Sequence, residues 1–284
     1  MKLPLIVLLL CSLAACKNDA PALVKSAESK KKSKDIIIPN VHYGIEGFYT
    51  GVFEATKFDH DREAHDNQIT ICIDSLDDKN IFGHSVVAGT DRAFSGTYET
   101  QGADYIVTAH EPGDQKYDGS FEFTVSRNEH KLKGRWMAKN QMIPVTERSY
   151  ALEYHNYKYD PSTNLPEEIL ESPIYGTYNE KTEKQEALTD DVLKLNASKK
   201  LLKTIEVENL YAGDLEVIRN TIYARHGYSF KNLRMRTLFD NSVYWYMPLS
   251  TDVTGQLTEI EKKNIALIKR YESHAAHYYE VFGR

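Results

Sequence analysis

The run Asp214-Leu215-Glu216-Val217-Ile218-Arg219-Asn220-Thr221-Ile222-Tyr223-Ala224-Arg225-His226-Gly227 decides how the C-terminal part of this chain folds. Leu215, Ile218 and Ile222 recur at i, i+3 and i+7, so they share one face of an amphipathic helix. The Asp214 carboxylate is placed to cap its N-terminus, and Gly227 suits the left-handed residue that closes a helix. A second helix is predicted from Lys231 to Asp240, carrying Leu233, Leu238 and Phe239. The aromatic run Tyr244-Trp245-Tyr246-Met247-Pro248 reads as a non-helical connection ended by its proline. Thr258-Glu259-Ile260-Glu261 has the form of a capping box opening a third helix to about Tyr271, with Ile260, Leu267, Ile268 and Tyr271 turned inward. Helices of this length enclose a small core of their own.

Several ordered features accompany the central pentapeptide Tyr223-Ala224-Arg225-His226-Gly227. They are Ile218-Arg219-Asn220 before it, Phe230, Trp245-Tyr246-x-Pro248, and Thr258-x-x-Glu261-x-Lys263-Asn264-x-x-x-Ile268. Together they resemble the YARHG domain, a small module of bacterial secreted and envelope proteins, over roughly the last quarter of the chain. The resemblance implies a helical domain and an envelope or secreted location; it names no reaction. Tyr223, Arg225, His226, Trp245 and Tyr246 are the candidate binding residues. A catalytic reading makes His226 a general base and Arg225 a fork for a carboxylate or phosphate. A structural reading has His226 meet the last helix carbonyls and Arg219 or Arg225 pair with Glu261 or with nearby carbonyls. The aromatic residues suit either a groove for a glycan or peptide, or the core.

At the other end, Lys2 and the apolar run Leu3 to Leu10 precede Leu13-Ala14-Ala15-Cys16. This resembles the lipobox of bacterial lipoprotein signal peptides, with an apolar run too short to span a bilayer. The resemblance implies removal of residues 1–15 and lipid attachment at Cys16. Each buried methylene of an acyl chain contributes about 0.8 kcal/mol, so several chains hold a protein durably. Lys17-Asn18-Asp19 makes outer-membrane sorting the expectation. Residues 16–42 read as a polar tether whose cluster Lys30-Lys31-Lys32-Ser33-Lys34 is either solvated or set against anionic headgroups. Cys11 leaves with the signal, so Cys72 is the one thiol of the folded part; its strand-like setting, Ile69-Thr70-Ile71-Cys72-Ile73, predicts a structural role.

From 43 to 159 the period becomes two. Ile69, Ile71 and Ile73 alternate with polar neighbours, as do Phe121, Phe123 and Val125, and the run from Leu132 to Trp136 repeats the habit. Further strands are predicted at Gly47 to Ala55, Ile81 to Val87, Phe94 to Glu99, Tyr105 to His110 and Arg148 to Tyr154. Turn residues separate them, among them Asp77-Asp78-Lys79-Asn80, Gln101-Gly102 and Asp118-Gly119. Such a meander tends to close on itself because closure removes its edges, predicting an up-and-down barrel with a β-sandwich as the alternative. In outline this resembles a lipocalin or calycin, although Gly-x-Trp occurs only late, at Gly134-Arg135-Trp136, while the first strand reads Gly47-Phe48-Tyr49. Residues 160–188 read as a linker with one helical turn at Glu167 to Leu170. Leu188 to Leu193 opens a helical stretch ending near Leu195 or continuing through Leu202. The expected fold is therefore α+β in two domains, a barrel-like antiparallel domain at 43–159 and a small all-α domain at 189–284.

The net charge of −6, with both signs interspersed, argues against a nucleic-acid partner. His60-Asp61-Arg62-Glu63-Ala64-His65-Asp66 is rich in possible metal ligands but reads as a loop, without the fixed frame a metal needs. His274-x-x-His277 lies where a terminal helix frays. Gly83-His84-Ser85 fails as a hydrolase site, because Ser85 is mid-strand with His84 on the opposite side. No phosphate loop or dinucleotide fingerprint occurs. No cofactor and no metal are expected. The leading expectation is a lipid-anchored envelope protein acting as a binding or interaction module, with the membrane and a cell-wall polymer or envelope protein as partners. The alternatives are an enzyme on an envelope polymer using His226 and Arg225, and a lipocalin-like carrier, which requires a cavity of roughly 300 Å³ or more.

Overall fold

The computed structural model describes residues 44–278 apart from 63, 173, 176, 181 and 182. The signal sequence, Cys16 and the tether at 16–42 lie outside the described residues, as does Glu63 of the histidine-rich loop.

Eight antiparallel strands form the first part: β1 (Gly47–Phe58), β2 (Asn67–Leu76), β3 (Asn80–Val87), β4 (Thr90–Gln101), β5 (Asp104–His110), β6 (Gly119–Ser126), β7 (Lys131–Ala138) and β8 (Val145–His155). Each pairs with its neighbour in sequence, and β1 pairs with β8 to close the barrel. Closure leaves no edge strand to template aggregation, and it rules out the sandwich. Parity sets the faces: Ile69, Ile71 and Ile73 of β2 point in, as do Phe121, Phe123 and Val125 of β6. One end of the barrel is filled by Ile73, Ile81, Val125, Leu132 and Leu152. At the other end β3 turns into β4 through Ala88-Gly89, both at positive φ (50° and 72°), which matches the twist of the flanking strands.

The helical region holds α1 (Asp191–Lys194), α2 (Thr204–Val207), α3 (Ala212–Arg225), α4 (Leu233–Ser242) and α5 (Glu259–Tyr278), preceded by a 3-10 turn at Glu167–Glu171 and a hairpin of β9 (Thr177–Asn179) and β10 (Lys184–Glu186). The helix after Leu188 thus stops at Leu195, the shorter of its two readings. Helix α3 is the hub. Beyond Leu215, Ile218 and Ile222, it also buries Val217, Thr221 and Ala224, so it is enclosed on most sides rather than on one face. Leu165, Ile169, Tyr175 and Leu188, from the stretch between barrel and helices, join the same core.

Three local expectations are corrected. Asp214 does not cap its own helix; it sits inside the first turn, and its carboxylate accepts the Thr189 N–H at 2.9 Å and the Thr189 hydroxyl at 2.8 Å. Ile260 is exposed, while its neighbours Glu261 and Asn264 are fully buried. Helix α4 begins at Leu233 rather than Lys231, because the Asn232 side chain accepts the Met235 N–H and caps it there.

Barrel and helices belong to one compact unit. Asp240 of α4 accepts the Gln68 N–H of β2 at 2.9 Å, and Ser229 Oγ accepts the Gly89 N–H at 3.0 Å. Gly89 is required twice over. Beyond its positive φ, a Cβ there would lie 2.6 Å from Lys231 Cβ. On the outer barrel wall, Phe48 and Cys72 pack against Leu249. Among the described residues no helix is long and apolar enough to cross a membrane.

Candidate functional site

The open end of the barrel is built from polar residues that share the inward parity of the core. Asn67 is in phase with Ile69 and Ile71 on β2, Ser85 with Ile81 and Val87 on β3, and Arg148 with Tyr150 and Leu152 on β8. Arg92 is in phase with Phe94 on β4, and Glu111 continues the phase of Val107 and Ala109 beyond β5. Antiparallel neighbours run in opposite directions, so strand starts (Asn67, Arg92, Arg148) and strand ends (Ser85, Glu111) meet at one rim. They line a pocket of about 470 Å³ whose apolar wall is Phe53, Ile69, Val87, Phe121 and Trp136. Lys231 and Arg236, from the helical region, complete its lining.

The pocket is electrostatically lopsided. Arg92, Arg148, Lys231 and Arg236 face a single lining carboxylate, Glu111. Burial pushes the Glu111 carboxyl up, opposed by the Gly119 N–H at 2.6 Å and the Trp136 indole N–H at 3.2 Å. Arg148 lies over the Phe53 ring and donates to the Phe53 and His65 carbonyls at 2.7 and 3.0 Å. Burial lowers it to about 10, which still leaves it a cation at neutral pH. Arg92 is 3.3 Å from Asp118. Asn67 Oδ1 is buried and has no hydrogen-bond partner among the described residues, an acceptor for a ligand donor or a water.

The charged residues of the central pentapeptide form a second polar centre, inside the helical core. The His226 imidazole, with 3% of its side chain exposed, places Nε2 2.8 Å from Glu261 Oε2. The same carboxylate accepts the Tyr159 hydroxyl at 2.9 Å and the Thr258 N–H and hydroxyl at 2.9 and 3.0 Å. Tyr159 stacks on the His226 ring at 4.2 Å. Burial would raise the Glu261 carboxyl, but hydrogen bonds from His226, Ser198 and Thr258 win and hold it at about 2. Arg225 donates to the Thr163 carbonyl at 2.9 Å and to Ser198 Oγ at 3.1 Å. Asn264 donates to the Ala197 and Lys200 carbonyls, both at 2.7 Å, and accepts the Leu202 N–H. These side chains staple α3 and α5 to the segments on either side of α1.

Residues 191–273 match the YARHG domain. A comparison with curated proteins gave no match. In the YARHG domain, then, the eponymous Arg225 and His226 are buried and engaged with protein groups. His226 pairs with Glu261 rather than with helix carbonyls, and Arg219 pairs with Glu272 at 2.8 Å rather than with Glu261. Tyr246 is buried against Phe230 and Phe239 and donates to the Tyr228 carbonyl. Tyr223 is half-buried beside Tyr228. Of the five candidate residues, Arg225 and Trp245 line a common opening. It is a groove of about 690 Å³ between the YARHG domain and the barrel wall, lined also by Tyr157, Tyr244, Val52 and Glu153. Trp245 is held there by its indole N–H on the Asn164 carbonyl at 2.8 Å, while Tyr244 is 86% exposed.

Other sequence-level suspects are placed as follows. Ser85 is buried in the barrel and His84 faces out, 2.9 Å from Asp74, so the two do not form a nucleophile and base. His60 packs on Phe58, and Asp66 accepts the Ala55 N–H, so these two side chains anchor the loop to β1. Sequence reasoning missed the barrel-rim set, though a signal was present: Ser85 and Arg148 are polar residues at core-phase positions of predicted strands, and Asn67 and Arg92 continue that phase two residues ahead of two others.

Proposed function

We propose that this chain is an envelope-associated binding protein whose barrel pocket takes a small amphipathic anion, an acyl carboxylate in chemical terms. The observation that carries the reading is the pocket itself: an apolar wall with a rim where Arg148, Lys231 and Arg236 outnumber the acid Glu111, Arg92 being paired with Asp118. A buried apolar body satisfies the wall, and a carboxylate meets guanidinium donors in fork geometry. The YARHG domain supplies Lys231 and Arg236 to that rim, so both parts of the chain build one site. The domain match fits an envelope location, and the lipobox resemblance supports lipid anchoring at Cys16, outer-membrane placement being the sorting that Lys17-Asn18-Asp19 favours. Catalysis by Arg225 and His226 is not favoured, because both are buried and committed to Thr163, Ser198 and Glu261.

The test uses the full-length protein carrying Trp245→Phe, which leaves Trp136 in the pocket wall as the only tryptophan. Decanoate should shift Trp136 emission saturably, and decanol should bind about tenfold more weakly, since a hydrogen bond to a charged group is worth about 1.5–3 kcal/mol. Equal binding of acid and alcohol would remove the anion preference; no saturable change with either would remove the pocket as the site. Anchoring is tested separately. Cys16→Ser should release the protein from the membrane fraction, and unchanged fractionation would count against the lipid.

A second reading is favoured by the groove beside Trp245, where exposed Tyr244 and half-buried Trp245 offer aromatic faces to a sugar polymer. It predicts co-sedimentation with cell-wall sacculi that weakens in Tyr244→Ala. Pelleting that is unchanged by this substitution would exclude the groove.

A further inference from the structure

On the outer wall of the barrel, away from the pocket, Cys72 of β2 and His84 of β3 are paired across the strands. The pairing slips between Ile73 and Ser75, which leaves Asp74 as a bulge residue. A bulge re-aims a side chain, and this one turns the Asp74 carboxylate onto both neighbours. Asp74 Oδ1 accepts the Cys72 thiol at 3.3 Å, and Oδ2 lies 2.9 Å from His84 Nδ1. One ligand atom from each of the three residues lies within 4.8 Å of the others.

We propose that Cys72, Asp74 and His84 form a binding site for a divalent transition ion of the zinc class, with a fourth position open to water. The donor set of sulfur, carboxylate oxygen and imidazole nitrogen is the one a borderline-soft ion takes. Tetrahedral coordination at ordinary zinc bond lengths sets neighbouring ligand atoms about 3.3–3.7 Å apart. The thiol and the imidazole lie at hydrogen-bond lengths from different oxygens of Asp74, 3.3 and 2.9 Å, and with one ligand atom of each residue inside 4.8 Å of the others the three close on an ion by side-chain adjustment alone. The backbone holding them is a fixed frame, two adjacent strands of a closed barrel, unlike the histidine-rich loop at 60–66. Access is one-sided. Cys72 is covered by Phe48 and Leu249, whereas the Asp74 and His84 side chains are 43% and 25% exposed and form the way in.

The alternative chemistry for such residues, a thiol nucleophile, does not fit. The thiol donates to the carboxylate instead of to the imidazole, and burial, then Asp74, raise it far above the range where a thiolate forms. An ion reverses that balance: the S–H bond breaks, the proton leaves to solvent and a sulfur–metal bond forms. Asp91, whose charge also acts on Cys72, adds negative potential for a cation.

The experiment is a Co(II) titration of the full-length protein carrying Cys11→Ser and Cys16→Ser, so that Cys72 is the only thiol. The expected result is a thiolate-to-cobalt charge-transfer band that saturates at one equivalent, is bleached by Zn(II) and is indifferent to Mg(II). His84→Ala keeps the thiol, and its surface position spares the fold; it should weaken binding at least tenfold, as should Asp74→Asn. No band at excess Co(II) overturns the proposal. So does a band of unchanged affinity in His84→Ala, because that means a lone thiol scavenging metal.

Discussion

Asp240 is one of the side chains through which the YARHG domain holds the barrel, and its protonation should shape how the stability of the whole unit varies with pH. Burial pushes its carboxyl from 3.8 up to about 7, against the opposing Gln68 N–H and the Arg236 charge. A group raised in the folded state contributes stability that is complete below its unfolded value and is lost as pH rises through its folded value. For Asp240 that window runs from about pH 4 to about pH 7. At 1.36 kcal/mol per unit the full shift is worth about 4 kcal/mol, and water access and relaxation reduce the expected effect to about 2 kcal/mol. Asp240→Asn keeps an oxygen for the Gln68 N–H at 2.9 Å and removes the charge. Urea unfolding of both proteins at pH 5 and pH 8 measures the effect. The wild type should lose about 2 kcal/mol relative to the variant between the two conditions. Asp214, which burial raises to about 6, titrates in both proteins and cancels in the comparison. If the two stabilities change in parallel, the buried-acid account of this junction is wrong.

Glu261 should behave in the opposite sense: held near 2 against 4.5, it contributes stability that is present above pH 4.5 and lost as pH falls toward 2. Glu261→Gln should therefore show a flatter melting temperature between pH 5 and pH 2.5 by calorimetry. His226→Ala leaves that buried carboxylate without its imidazole partner at 2.8 Å and should cost about 3 kcal/mol in chemical denaturation, a loss an exposed catalytic histidine would not show. Gly89→Val introduces a branched side chain at positive φ against the Lys231 backbone. It should lower stability by at least about 2 kcal/mol and raise amide exchange at Gln68 and at residue 89, which hydrogen-exchange mass spectrometry reads directly.

Much of the fold was legible in the chain because its cues are local. Alternation at Ile69-Ile71-Ile73 and at Phe121-Phe123-Val125 marks strands whatever their partners, and all eight predicted strands are present. The Thr258–Glu261 capping box opens α5, and Gly227 closes α3 at a φ of 71°. Where local logic failed, a distant partner had taken over. Asp214 looked like a helix cap and instead binds Thr189; Glu261 looked like a capping residue and an arginine partner, and beside its cap it serves Tyr159 and His226 instead. Ile260 looked like core, but the polar network took the inward face of the first turn of α5 and left the isoleucine outside.

The candidate sites divide in the same way. Parity told which barrel residues point inward, polar ones included, because a strand's side chains alternate regardless of context. It did not tell depth. Only the closed register shows that Ile73, Ile81, Leu132 and Leu152 fill one end while Asn67, Ser85, Glu111 and Arg148 gather at the other. The metal-type cluster at Cys72, Asp74 and His84 depended on a bulge, one extra residue in a ladder that exists only once β2 and β3 are paired. What the sequence by itself determined was the set of elements and the side of each that is apolar, since propensity and periodicity act within a few residues. What the tertiary structure decided was which end of the barrel stays open, which charges meet there and which pentapeptide side chains are sealed away. Those depend on contacts between residues many positions apart, and such contacts form only when the whole chain has closed.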